Sequence, residues 1–191
     1  MFVQFRLLSL LVLALATSCN KDEKKCDLVG EDPAIIDYCK SEENFSNTPF
    51  ISSVTISRNH ITQLDSIKIK FSFTDGDGDL KRHDLDFWNC DNFCVPTCFD
   101  TASFCIVSLT DTRHNCQTFY RLPLIENLNS PILGDIYLSH QNICCVYPNG
   151  SSCVPSTQFP VDTVTFIIRL KDEAGNVSNA IETPPIFIEC N

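Results

Sequence analysis

The chain has 191 residues, of which 14 are basic and 24 acidic, giving a formal net charge of −10. This length suits one domain with a short extension, and the acidic balance excludes recognition of nucleic acid through a basic surface. The chain also contains 12 cysteines, more than a reduced cytosolic protein of this size carries. We therefore expect an extracytoplasmic protein and exclude a cytoplasmic nucleotide enzyme.

The N-terminus has the features of an export signal that ends in a lipid-attachment site. Arg6 precedes an apolar run, residues 7–16, which is too short to span a bilayer. The sequence Ala16-Thr17-Ser18-Cys19 resembles the lipobox of bacterial lipoproteins, with alanine at a position where leucine is usual. The resemblance implies that residues 1–18 are removed and that Cys19 carries the diacyl and palmitate chains. A plain secretory signal is the alternative.

A short charged tract follows the lipobox. Lys21-Asp22-Glu23 resembles the signal that directs lipoproteins of one Gram-negative phylum to the cell surface. This resemblance implies an outer-membrane lipoprotein that is anchored by Cys19 and exposed on the surface. The alternative is a merely solvated linker on a protein that faces the periplasm.

Residues 19–48 are predicted to be a tether between the lipid and the folded domain. They carry many charges and Pro33. Cys26 and Cys39 are expected to close a small loop there, and residues 33–37 are expected to form a short helical turn.

From residue 49 onward the apolar residues follow the two-residue period of β-strands. Residues 65–73 alternate between polar and apolar side chains, and residues 162–170 repeat the pattern. No segment sustains a helical period over three turns. Shorter strand-like runs lie at residues 51–57, 84–88, 104–109, 118–122, 136–139 and 186–189. The sequence therefore predicts an all-β domain over residues 49–191.

The two longest predicted strands both lead into acidic turns. Residues 74–80 read Thr-Asp-Gly-Asp-Gly-Asp-Leu, and residues 172–178 read Asp-Glu-Ala-Gly-Asn-Val-Ser. Both turns resemble those of bacterial immunoglobulin-like and fibronectin-like domains. The resemblance implies an Ig-like antiparallel β-sandwich, interrupted by a cysteine-rich insertion at about residues 89–160 that has no counterpart in that family.

These turns also contain the candidate metal ligands. Asp75, Asp77 and Asp79 place three carboxylates on alternate residues, and a cation relieves their mutual repulsion. Ca²⁺ prefers such oxygen ligands. The two turns lie at the same end of an Ig-like sandwich, so the resemblance implies that Asp172 and Asn176 join them. The alternative to a Ca²⁺ site is a turn without an ion, in which the side chains cap their own backbone.

Apart from Cys19, the cysteines are predicted to form disulfides. The CxxC pairs of zinc sites are missing, and thiols oxidise outside the cytoplasm. Cys144 and Cys145 are adjacent, so each is expected to bond a different partner. Without Cys19 the number of cysteines is 12 − 1 = 11, so one thiol stays unpaired or bridges two chains. The candidates are Cys26, Cys39, Cys90, Cys94, Cys98, Cys105, Cys116, Cys144, Cys145, Cys153 and Cys190.

No catalytic motif of a common enzyme class occurs in the sequence. It has no GxSxG, HExxH, P-loop or GxGxxG pattern. We therefore expect a lipid-anchored binding or structural module of the cell envelope that takes a protein or glycan ligand and performs no catalysis. Two alternatives remain: a secreted hydrolase with its site in the cysteine-rich insertion, and an accessory lipoprotein of a surface nutrient-uptake complex.

Overall fold

A computed structural model describes residues 26–31, 33–80, 106–123 and 130–191. These residues form twelve strands, which confirms the all-β prediction, and no helix among them is long and apolar enough to cross a membrane. The predicted signal peptide, Cys19 and the predicted strand at residues 84–88 lie outside the described ranges. The strands are β1 (Cys26–Glu31), β2 (Ala34–Lys40), β3 (Phe50–Ile56), β4 (His60–Thr62), β5 (Asp65–Asp75), β6 (Ile106–Asp111), β7 (Cys116–Arg121), β8 (Ile132–Ile143), β9 (Val161–Val164), β10 (Phe166–Lys171), β11 (Ile181–Glu182) and β12 (Ile186–Glu189).

The strands form three sheets. The largest has the order β1-β2-β8-β5-β3, and the second has the order β11-β10-β6-β7. All neighbours in these two sheets are antiparallel. The third sheet, β4-β12-β9, contains one parallel pair, β4 with β12. The buried side chains of all three sheets belong to one hydrophobic cluster, so each sheet covers the same core with one face.

Strand β5 shows how the sequence pattern builds this core. Ile67, Ile69, Phe71 and Phe73 are at most 1% exposed, and the residues between them face outward. Burial of each such side chain contributes about 1.5–3 kcal/mol. The prediction for residues 65–73 is confirmed, and the strand continues to Asp75.

The predicted strand at residues 162–170 is divided into two. β9 belongs to the three-stranded sheet and β10 to the four-stranded sheet. The carbonyl of Thr165, between them, accepts a hydrogen bond from the backbone N–H of Thr112 in the turn after β6. The two-residue spacing of buried side chains continues across the break, from Val164 in β9 to Phe166 in β10, because both strands face the common core.

The predicted helical turn at residues 33–37 is wrong. These residues enter β2, where Ala34, Ile36 and Tyr38 are buried at a spacing of two. Pro33 precedes the strand, a position at which its missing N–H costs no ladder bond, and its carbonyl accepts a hydrogen bond from the N–H of Ser139 at 2.9 Å. Much of the predicted tether is thus part of the largest sheet.

Strands within the predicted insertion at residues 89–160 complete the two larger sheets. β8 lies between β2 and β5, and β6 lies between β10 and β7. This differs from an insertion appended to a finished sandwich. Without the strands of the insertion, the five-stranded sheet would divide into β1-β2 and β5-β3, and the four-stranded sheet would be reduced to β11-β10. Residues 81–105 and 124–129 lie outside the described ranges.

Two disulfides are formed by the adjacent cysteines that follow β8. Cys144 bonds Cys153, and Cys145 bonds Cys190, which confirms that the neighbours take different partners. The second bond fixes the C-terminal end of the chain to the end of a central strand.

Cys39 and Cys116 are also disulfide-bonded. Cys26 lies opposite Cys39 in the register of β1 and β2, so a bond between them stays a prediction. Cys90, Cys94, Cys98 and Cys105 lie outside the described residues.

Candidate metal centre

Two acidic turns from different sheets meet at one end of the fold. Asp75 ends β5, and Asp172 directly follows β10. One carboxylate oxygen from each of Asp75, Asp79 and Asp172 lies within 4.8 Å of the other two. Asp79 Oδ2 also accepts a 2.9 Å hydrogen bond from the N–H of Ala174, 95 residues away in sequence. The structure thus brings together the two turns that were expected to meet.

Glycines allow the first turn to curl tightly enough for its carboxylates to converge. The N–H of Gly76 donates to the carbonyl of Ser46 at 2.8 Å. A Cβ atom at residue 76 would lie only 2.6 Å from that carbonyl oxygen, so only glycine fits. Gly78 has φ of 66°, a left-handed conformation that glycine adopts without strain. Glycine at positions 76 and 78 is therefore what the geometry of this turn requires.

Asn176 holds the carboxylate of Asp172 in place. Its backbone N–H donates to Asp172 Oδ1 at 2.6 Å, and its side-chain Nδ2 donates to Asp172 Oδ2 at 2.8 Å. Asp172 is 1% exposed. Asn176, predicted as a ligand, thus orients Asp172 by donating hydrogen bonds to it.

Asp75 is the least satisfied acid of the cluster. It is 0% exposed, and neither of its carboxylate oxygens has a hydrogen-bond partner among the described residues. Burial, followed by repulsion from Asp77, Asp79 and Asp172, raises its pKa to about 8. Asp77 lies beside it with one buried oxygen, Oδ1, that also has no hydrogen-bond partner in the described part of the chain.

The pKa values of Asp79 and Asp172 are also raised. Burial and then the charge of Asp172 raise the pKa of Asp79 to about 6. Burial also raises the pKa of Asp172, against the hydrogen bonds from Asn176 that lower it. Ionisation of all the carboxyl groups in the cluster therefore destabilises the folded state. Bound protons or a bound cation relieve the repulsion between the carboxylates.

The donor set is chemically uniform. The three converging ligand atoms are all carboxylate oxygens, with no histidine or cysteine of the described residues among them. Such oxygens select hard cations. Because the three oxygens converge on one point, the arrangement can hold an ion.

No protein-family model, curated protein or solved structure matches the chain significantly.

A second set of polar side chains lines a cavity of about 520 Å³ between β6–β7 and the end of β8. Nothing in the sequence indicated this set. His140 is part of that lining, and its Nδ1 lies 2.6 Å from the hydroxyl of Tyr120. Burial lowers the pKa of His140 to about 4. The two residues lie on strands of different sheets, so no local motif in the sequence connects them.

Arg113 lies at the same cavity. Its guanidinium bonds Asp111 at 2.6 Å, Asp162 at 2.5 Å and the carbonyl of Cys144 at 2.8 Å. These bonds join the β6–β7 turn to the segment after β8 and to β9. Because the guanidinium is committed to them, we interpret Arg113 as structural.

Proposed function

We propose that this chain is a lipid-anchored, extracytoplasmic module of the bacterial cell envelope that acts by binding or spacing and performs no catalysis. The observation that carries the proposal is the Cys145–Cys190 disulfide, whose two cysteines are 0% exposed. A crosslink in the core suits a protein that folds in an oxidising compartment. The signal-like sequence that ends at Cys19 would deliver the chain to such a compartment.

An Ig-like sandwich is part of the proposal. Its support is the pair of antiparallel sheets whose buried faces share one core. The meeting of the turns after β5 and β10 at one end of the fold adds to this support, because loops cluster at the ends of such sandwiches.

The position of β1 gives the proposed anchor a short reach. β1 begins at Cys26, so only residues 20–25 separate it from Cys19. A chain of this length spans at most about 25 Å. Lipidation of Cys19 would therefore hold the sandwich close to the membrane surface. Lys21-Asp22-Glu23 favours the outer face of the outer membrane over the periplasmic face.

The proposed ligand is a protein or a glycan, and nutrient uptake through a partner complex is one setting for it. The hydrolase alternative would place its site in the cysteine-rich insertion. The carboxyl groups with the most strongly raised pKa among the described residues, those of Asp75 and Asp79, lie outside that insertion, in the cluster at the sheet ends.

Metabolic labelling with an alkyne-bearing palmitate tests the anchor. In bacteria that express the full chain, we expect the label on the protein and the protein in the membrane fraction. Cys19→Ser should abolish both, whereas the matched double variant Cys144→Ser/Cys153→Ser should keep both. Continued labelling of Cys19→Ser would contradict the proposal.

Protease treatment of intact cells then distinguishes the two faces of the outer membrane. Surface display predicts digestion in intact cells. Protection until the outer membrane is opened would place the module on the periplasmic face.

A further inference from the structure

The acidic cluster contains one group that the rest of the protein leaves without compensation. Asp79 and Asp172 each accept hydrogen bonds from backbone N–H groups of the second turn, so backbone capping explains their position. Asp75 accepts none and is 0% exposed. An ionised carboxylate without water or hydrogen bonds is strongly destabilising. Capping of the backbone therefore does not explain why a carboxyl group is buried at position 75.

We propose that Asp75, Asp79 and Asp172 bind one Ca²⁺ ion, with Asp77 adding negative charge beside it. The proposal goes beyond the anchored module and does not depend on lipidation of Cys19. One oxygen of Asp75 lies in the group of three converging oxygens, so the ion would contact the carboxylate that lacks a hydrogen-bond partner.

The geometry suits Ca²⁺ among the hard cations. Ca²⁺ binds oxygens at about 2.3–2.6 Å, so two ligands on opposite sides of the ion are roughly 5 Å apart. The three carboxylate oxygens, within 4.8 Å of one another, fall inside this limit. Mg²⁺ keeps several waters and uses one or two carboxylates in most sites. A group of three carboxylates, two of them buried, with a fourth acid beside it, is better matched to Ca²⁺.

The ion would crosslink the two larger sheets. Asp75 ends β5 in the five-stranded sheet, and Asp79 lies in the turn that follows it. Asp172 directly follows β10 of the four-stranded sheet. The hydrogen bond from the N–H of Ala174 to Asp79 Oδ2 already joins the two turns. Ca²⁺ that binds only the folded state raises the folding equilibrium constant by a factor of one plus the ratio of the free Ca²⁺ concentration to Kd.

The experiment uses the full chain, purified in detergent and stripped of metal with a chelator. Calorimetric titration with CaCl₂ should show one ion per chain, with Kd between about 0.1 and 1 mM, as in extracellular modules. At about 2 mM Ca²⁺ the folding equilibrium constant should then rise roughly 3- to 20-fold, which is seen as a higher melting temperature. MgCl₂ at the same concentration should give a smaller shift.

Three variants separate binding from folding. Asp75→Asn and Asp79→Asn remove charge but keep the shape of the side chain. Each should melt no lower than the unmodified chain without metal, because repulsion is relieved, and should lose the response to Ca²⁺. The exposed Asp27 provides the matched control, since Asp27→Asn should keep the full response.

Three results would overturn the proposal. They are an unmodified chain that shows neither heat nor a melting shift at about 5 mM Ca²⁺, equal stabilisation by Mg²⁺, and an undiminished Ca²⁺ response in both cluster variants.

Discussion

The two described disulfides should stabilise the fold unequally, because they close loops of different length. Cys145 and Cys190 are separated by 45 residues, and Cys144 and Cys153 by 9. Loop-closure entropy in the unfolded chain predicts a contribution of about 4 kcal/mol for the longer loop and about 2.6 kcal/mol for the shorter one at 25 °C. Burial adds to the difference, since the longer crosslink lies in the core and Cys153 is exposed.

Paired alanine variants measure these contributions without burying a hydroxyl group. Urea unfolding of Cys145→Ala/Cys190→Ala should show a loss of about 4 kcal/mol in the free energy of unfolding. Cys144→Ala/Cys153→Ala should lose roughly 1.5 kcal/mol less. Each double variant is the control for the other, because both remove two sulfur atoms from the same region. Equal losses, or a larger loss for the short loop, would contradict a stabilisation set by loop length.

Two further predictions concern the polar groups around the cavity. Because burial holds the pKa of His140 near 4, against about 6.5 in the unfolded chain, the unfolded state binds more protons between these values. The stabilising contribution of neutral His140 is thus present above about pH 6.5 and is lost towards pH 4, by up to roughly 3 kcal/mol. Urea unfolding across this range should show a smaller pH dependence in His140→Gln, and an identical dependence would contradict the assignment. Arg113→Met should cost about 3–5 kcal/mol of unfolding free energy, because Asp111 and Asp162 lose their buried counter-ion. A loss below about 1 kcal/mol would show that the two acids find other partners.

Local alternation in the sequence predicts which residues face the core, but not which strand they pair with. Residues 65–73 were predicted correctly for this reason. The sequence at 33–37 has the same inward spacing, yet Pro33 at its start suggested a helical turn. Pairing with β8 decides the outcome. β8 itself was predicted only at 136–139. An irregularity near Asn142, with φ of 58°, breaks its alternation towards the C-terminal end.

The candidate site was predictable in part. The Asp-Gly repeat indicates the first turn, and the resemblance to Ig-like domains implied that Asp172 would approach it. The complete burial of Asp75 was not predictable, because it depends on packing between turns that are almost a hundred residues apart in sequence. The Tyr120–His140 pair was missed for the same reason, since its partners come from different sheets.

The proposed Ca²⁺ site is tested most directly by a crystal structure of the full chain grown with CaCl₂, using long-wavelength X-ray data. We predict an anomalous-scattering peak between Asp75, Asp79 and Asp172, with carboxylate oxygens at about 2.3–2.6 Å from it. A water molecule or a lysine ammonium group at that point, without an anomalous peak, would contradict it.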